Sequence, residues 1–282
     1  MLRQRVITAL VLVALLLASL MAVSRWPFAL LTLVLMAAAG WEWGRLNQAV
    51  AQVPLLMGGL VAVGGALALM AGWVDHAPPA LWWLATLLWL VAGTIALRSG
   101  PAAWPQLPRA ARLVLGLAVL WLAWLALAQA RSVGINFMLS ALCLVWMADV
   151  AAYFGGRAFG KRKLAPAISP GKSWEGVWSG MAGVLVLAAF WIWLDGRFAV
   201  DGPSLYSRLW LELGLFGMVL ALLALCGLSV VGDLIESLVK RAAGAKDSSG
   251  LLPGHGGILD RVDALLPVLP AALALLTVGA RA

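Results

Sequence analysis

The chain has 282 residues, of which 63% are hydrophobic and 11% charged, and Lys plus Arg outnumber Asp plus Glu 20 to 12. Soluble domains sit near ~45–50% apolar, so this composition excludes an ordinary soluble globule. Runs such as Val6–Val23 and Val53–Trp73 are long enough to cross ~30 Å of hydrocarbon. The alternating segments of a transmembrane β-barrel are absent. The expected fold is all-α: a polytopic integral membrane protein of about nine helices with a cytoplasm-facing polar site.

The expected spans are 6–23, 28–46, 53–73, 80–97, 111–129, 134–154, 176–194, 209–231 and 262–280. The first follows Arg3 and Arg5, a charge pattern shared with secretory leaders. Its apolar run of about 18 residues exceeds the ~7–15 of a cleaved signal, so it is read as a retained span. Gly58, Gly59, Gly64, Gly65 and Gly72 in the third predict close helix packing. Pro101, Pro105 and Pro108 make 98–112 a stiff connector. The tryptophans near span ends, as at Trp41/Trp43, Trp82/Trp83 and Trp191/Trp193, read as interfacial belt residues. Cys143 and Cys226 lie in apolar runs and read as small core residues. The eighth span continues as a helix to about Ala243.

With sides alternating, 15 of the 20 Lys and Arg fall on the side of the N-terminus, leaving Arg25, Arg131, Arg197, Arg208 and Arg281 on the other. The positive-inside rule then puts the N-terminus in the cytoplasm and the C-terminus outside. It also explains the net charge of +8 without a nucleic-acid partner. Two charged cytoplasmic loops result, 155–175 and 240–261. The chain accordingly divides into N-terminal spans, 1–130, and a C-terminal region, 131–282, that carries both charged loops and is the expected catalytic part if they form a site.

Nine charges fall between Asp233 and Asp263. Ionisable groups at a span boundary mark function by default. Asp233, Glu236, Ser237 and Lys240 are spaced i, i+3, i+4, i+7 and form one helical stripe, with Arg241 at its edge. Such a stripe suits a cation above and a phosphate below; a solvated helix end with ion pairs is the plainer reading for Lys240 and Arg241. Gly244, Gly250, Gly254, Gly256 and Gly257 allow backbone N–H groups to approach an anion, and Lys246 adds a point charge. His255 reads as a substrate contact or a locally satisfied turn residue. Asp260 and Asp263 share the first turn of the last helix, where one could be a cap. With Asp233 they suit a hard cation such as Mg²⁺, which takes one or two carboxylates with water and phosphate. No His/Cys set points to zinc. In the second loop, Lys161, Arg162, Lys163 and Lys172 read as membrane anchors or headgroup contacts. Ser169-Pro-Gly-Lys172 before Trp174 and Glu175 reads as a shaped turn, and it is not a P-loop.

The stretch from Ser237 to Asp263 resembles the signature of the phosphatidate cytidylyltransferases, or CDP-diacylglycerol synthases. The matching positions are Ser237, Lys240-Arg241, Lys246-Asp247, Pro253, His255-Gly256-Gly257, Asp260-Arg261 and Asp263. Asp149 to Glu175 is similar to a second region of that family, through Gly160-Lys161, Leu164-Ala165-Pro166 and Ser169-Pro170-Gly171-Lys172. The resemblance implies an inner-membrane enzyme that joins CTP and phosphatidic acid into CDP-diacylglycerol and pyrophosphate. It implies a homodimer and Mg²⁺, with a second cation left open. By its pattern the metal-binding aspartates are Asp233 and Asp260, which Asp263 and Glu236 would support. Lys240, Arg241, Lys246 and Arg261 would handle triphosphate and pyrophosphate. Ser169 and Lys172 would contact the lipid phosphate, and His255 and Asp247 would shape the nucleotide loop. Asp149, Lys161, Ser237, Gly256 and Gly257 complete the expected substrate site.

Three other readings compete, of which a non-catalytic membrane scaffold would not need this density of charged residues at fixed spacing. A cation transporter would use the same acids as a relay and needs polar groups on both sides. A CDP-alcohol phosphotransferase would carry D-G-x-x-A-R, which is absent.

Overall fold

The computed structural model describes residues 2–50, 52–198 and 201–279, so Arg281 and the end of the ninth expected span lie outside the described residues. In chain order the helices are α1 (Leu2–Met21), α2 (Trp26–Leu46), α3 (Val53–Met70), α4 (Trp73–His76), α5 (Pro79–Ser99) and α6 (Arg109–Val133). They continue with α7 (Ile135–Phe159), α8 (Trp174–Asp195), α9 (Leu205–Ala242), α10 (Leu259–Val262) and α11 (Leu265–Gly279). Among the described residues eight helical segments are long and apolar enough to cross a membrane, with α10 and α11 counted as one. The first expected span, 6–23, falls on α1, of which Leu10–Met21 is apolar helix among the described residues. The all-α expectation holds except in the charged loop 155–175. There β1 (Lys163–Ala165) and β2 (Ser169–Ser173) form an antiparallel hairpin.

Large apolar side chains such as Leu55, Leu56, Leu60, Val186, Leu211 and Phe216 point outward. So much exposed hydrocarbon is stable only against lipid. Helix α11 is apolar on all sides and takes the inner position, packed by α5, α6, α7 and α9.

Small residues set the closest approaches. A Cβ on Gly176 or Gly180 of α8 would lie 2.9 Å from the carbonyl oxygen of Ala152 or Ala148, so α7 and α8 meet backbone to backbone. In α3, Gly58 and Gly65 do pack closely, against Ala37 and Leu33 of α2, whereas Gly59 meets nothing. Trp83 and Trp193 are exposed, as the belt reading requires, and other tryptophans are not. Trp43, Trp82, Trp89, Trp104 and Trp124 are buried. Two of these indole N–H groups donate to internal carbonyls, Trp43 to Arg112 at 2.9 Å and Trp124 to Ala29 at 3.1 Å, which removes the reason to sit at the headgroups.

The helices alternate between two ends. At one end lie both charged loops, and Thr8 Oγ1 of α1 donates to the Pro253 carbonyl there at 3.3 Å. At the other, Asp201 accepts from the first amides of α7, Ile135 and Asn136. Asp195 there gathers Ser207, Asn136 and the Ser204 amide at 2.6–3.0 Å. Arg25 pairs with Asp75 at that same end.

Helix α9 bends at Gly214, where φ is 68° and ψ is 177°. That conformation is open essentially to glycine alone. Gly214→Ala should therefore destabilise the protein by ~1–3 kcal/mol in a thermal or denaturant melt in detergent. Gly227→Ala on the same helix, where a Cβ meets nothing, should be neutral or stabilising. Equal effects at the two positions would refute the backbone explanation.

Candidate active site

The site forms where α9, the α10–α11 start, the hairpin and the ends of α7 and α2 converge. Gly232 makes the convergence possible. A Cβ there would lie 2.4 Å from the Asp263 carbonyl oxygen and 2.9 Å from Pro267 Cδ. The next residue, Asp233, is thereby held beside Asp263.

Two charged clusters result. In the first, Asp149 of α7, Asp233 of α9 and Asp263 lie close enough to act electrostatically on one another, with Lys172 of β2 among them. Lys172 Nζ pairs with Asp233, and Ser237 Oγ donates to Asp233 at 3.3 Å. In the second, Lys240 bridges Glu236 at 2.5 Å and Asp260 at 2.7 Å. Each cluster has more carboxylates than cations. One stripe on α9 feeds both clusters, as the i, i+3, i+4, i+7 spacing predicts.

Asp260 is fixed from three directions besides Lys240. Its Oδ2 accepts from the Ser248 amide at 3.0 Å, the Ser248 hydroxyl at 2.9 Å and the Gly257 amide at 2.7 Å. A Cβ on Gly256, whose φ is 85°, would come 2.7 Å from that oxygen. The glycine-rich loop thus does admit an anion closely, and the anion it admits is the protein's own Asp260.

A cavity of about 430 Å³ opens beside the first cluster. Asp149, Arg157, Ser169, Lys172 and Asp233 give it a polar wall, while Val177, Val230 and Cys226 line its apolar side. A separate cavity of about 270 Å³ lies between α5 and α6, walled by Trp43, Trp89, Trp104 and Ile235, and carries no titratable group.

Other expected site residues stand differently. Arg241 donates to the carbonyls of Ile168 and Ala245 at 3.3 and 3.2 Å, so it braces hairpin and loop. Arg261 likewise donates to the His255 carbonyl. Lys246, Asp247 and Lys161 are exposed at the rim. His255 turns Nδ1 inward without a hydrogen-bond partner. The shaped turn before the seventh expected span is real: Ser173 caps α8, accepting from the Gly176 amide at 3.2 Å. Glu175 holds the amides of Lys161 and Arg162 at 3.0–3.3 Å, closing the hairpin's base.

Sequence reasoning missed Arg157, Gly232, Ser248, Ser249 and Glu42. Glu42, on α2, is fully buried and accepts from Ser248, Ser249, Ile258 and Leu259. A lone acid inside an apolar span was the available signal.

Among the described residues no three His, Cys, Asp or Glu side chains converge tightly enough to hold a metal ion alone. Mg²⁺ ordinarily needs only one or two carboxylates, with water and substrate phosphate supplying the remainder. The surplus of acid over lysine in both clusters fits that donor set.

The sequence profile of the cytidylyltransferase family matches residues 3–278. A phosphatidate cytidylyltransferase of Pseudomonas aeruginosa is 39% identical over 281 residues, covering 98% of this chain and 97% of its own length. The chain belongs to the phosphatidate cytidylyltransferase family. It is a membrane nucleotidyltransferase of phospholipid biosynthesis. Phosphatidate cytidylyltransferases of Haemophilus influenzae and Staphylococcus epidermidis are 47% and 41% identical over 137 and 142 residues. Those matches cover 49% and 50% of this chain and 44% and 49% of the relatives.

If Gly232 sets the Asp233–Asp263 approach, Gly232→Ala should cost ~1–3 kcal/mol through overpacking. Nucleotidyl transfer should also fall well beyond the loss of folded protein. A variant with wild-type activity and melting temperature would disprove that role.

Proposed function

We propose that the chain joins CTP and phosphatidic acid into CDP-diacylglycerol and pyrophosphate at the cytoplasmic face of an inner membrane. The observation that carries this reading is the acid-rich first cluster against a cavity with one polar and one apolar wall, with the second cluster next along α9. A phosphate oxygen of phosphatidic acid attacks the α-phosphorus of CTP. The new P–O bond forms as the bond to the β-phosphate breaks, and pyrophosphate leaves.

A phosphate monoester has its second pKa near ~6, so the nucleophile is largely ionised at pH 7. The reaction needs no strong general base, in keeping with a site without a catalytic triad. The difficulty is electrostatic: two anions must meet, and positioning with charge neutralisation supplies most of the catalysis.

In this reading Asp233 of the first cluster and Asp260 of the second would hold Mg²⁺, supported by Asp263 and Glu236; a second cation is left open. Bound Mg²⁺ would neutralise triphosphate charge. Lys172 and Ser169 meet the lipid phosphate, and Arg157 extends the same wall. Lys240 and Lys246 serve the triphosphate, while Arg241 and Arg261 keep the nucleotide loop in shape. Lys172 and Lys240 compensate only part of the carboxylate charge, which leaves each cluster able to take a cation. Nine spans, a cytoplasmic N-terminus, an external C-terminus and the homodimer implied by the family resemblance belong to the same proposal.

Purified protein should incorporate radiolabelled CTP into lipid in a Mg²⁺-dependent manner. Asp233→Asn and Asp260→Asn should each lower the rate by ~10²–10³-fold, the scale of losing one electrostatic stabiliser. Wild-type rates with wild-type Mg²⁺ dependence in both would sink the metal assignment. No incorporation, with ion flux in liposomes, would sink the reaction.

Sidedness is testable separately in a background where Cys143 and Cys226 are replaced. Lys246→Cys should resist a membrane-impermeant thiol reagent in intact cells and react after lysis, whereas Arg197→Cys should react from outside. The opposite pattern would invert the proposed topology.

A further inference from the structure

We propose that Glu42, far outside the signature, is the positioning residue that fixes the nucleotide loop and through it Asp260. This inference rests on the cytidylyl-transfer reading of the site.

The geometry is specific. Glu42 Oε2 accepts from the Leu259 amide at 2.7 Å and the Ser248 hydroxyl at 3.1 Å. Its Oε1 accepts from the Ile258 amide at 3.0 Å and the Ser249 hydroxyl at 2.5 Å. A carboxylate offers about four lone-pair sites, and here one twelve-residue stretch, 248–259, takes them all. Among the described residues no lysine or arginine pairs with Glu42. It is therefore dedicated to the loop.

The link onward to the chemistry is Ser248. Its hydroxyl lies 3.1 Å from Glu42 Oε2 and 2.9 Å from Asp260 Oδ2, so its single proton serves both carboxylates. Gly257 lets the three groups close up: a Cβ there would fall 2.0 Å from Ser248 Oγ and 2.3 Å from Glu42 Oε1. Asp260 in turn holds Lys240. A shift of Glu42 would thus move the second charged cluster as a unit.

Glu42 is itself locked. The next residue, Trp43, donates to the Arg112 carbonyl at 2.9 Å, and its indole covers Gly116. One turn on, Asn47 accepts from Trp104 at 3.0 Å and donates to the Trp43 carbonyl at 2.9 Å. The end of α2 is a rigid reference, and losing an outer partner that orients a metal-binding side chain typically costs ~10–100-fold in metal affinity or activity.

The test compares full-length wild type with Glu42→Gln, Ser248→Ala and the double variant. Glu42→Gln keeps the volume and turns one acceptor into a donor facing the loop's own donors. It should lower kcat/KM for CTP by ~10–100-fold and raise the Mg²⁺ needed for half-activation. KM for phosphatidic acid should not move. Amide hydrogen exchange, read without substrate, should accelerate across 247–260 and not in α7 or α8. The double variant should lose less than the product of the two single losses. A Glu42→Gln protein with wild-type loop exchange and CTP kinetics overturns the proposal. So does a lower melting temperature with the KM pattern intact, since that is packing alone. Should Glu42→Gln fail to fold, Ser248→Ala reads the same bridge, and no change in its loop exchange or CTP kinetics is equally fatal. A wild type that does not incorporate CTP defeats the cytidylyl-transfer reading instead, and loop exchange still decides the role of Glu42.

Discussion

The polar end of this bundle is governed by an excess of carboxylate in a place where carboxylates are costly. Lys172 pairs with Asp233 beside Asp149 and Asp263, while Glu236 and Asp260 share Lys240. Among the described residues Glu42 has no cation, and it relies on four donors. Burying charge without such compensation is strongly unfavourable. Each acid therefore dictates something about its neighbours: a lysine on the next element, a serine in the loop, or a glycine that brings an amide within reach. Gly232, Gly256 and Gly257 answer to that demand, since a Cβ at any of them would meet the Asp263 backbone, Asp260 or Glu42.

The same constraint explains why the signature holds so many residues that never face the cavity. Arg241 and Arg261 look from sequence like phosphate ligands, yet both donate to loop carbonyls. Basic residues in a glycine-rich loop have two possible acceptors, substrate oxygens and the loop's own peptide groups, and a sequence does not distinguish them. The glycines are ambiguous in the same way: close approach to an anion was legible, while the identity of the anion was not. Spacing on one helix, by contrast, is a rigid consequence of 3.6 residues per turn, and the Asp233-to-Lys240 stripe was correctly legible for that reason.

Long apolar runs gave the helices, but their neighbours required three dimensions. Trp43, Trp82 and Trp124 read as belt or span residues and lie inside, because an indole N–H can find a carbonyl between helices as well as at a headgroup. Glu42 was hidden by its flanking tryptophans, although an acid in an apolar span is itself a signal. Its partners lie more than 200 residues away in sequence, and no local pattern encodes that pairing. The charged loops belong to 131–282, yet packing crosses residue 130 freely: α11 lies against α5 and α6, and Glu42 of α2 grips the loop before α10.

The distribution of acids along the helices bears on chemistry as opposed to transport. On α7, Asp149 stands about 21 Å from the far end, at ~1.5 Å per residue from Ile135. Asp233 stands about 27 Å beyond the Gly214 bend by the same measure, counted from Leu215. The far-end acids Asp195 and Asp201 are engaged in holding Asn136, Ser204, Ser207 and the start of α7, and Asp75 holds Arg25 and Ser132. A proton or cation relay needs acceptors spaced through that intervening depth. Here Asp149, Asp233, Glu236, Asp260 and Asp263 gather at one end, and Asp149 and Asp233 line a cavity whose other wall is hydrocarbon. In the proposed reaction that arrangement would let a water-soluble polyanion meet a lipid phosphate without either crossing the bilayer.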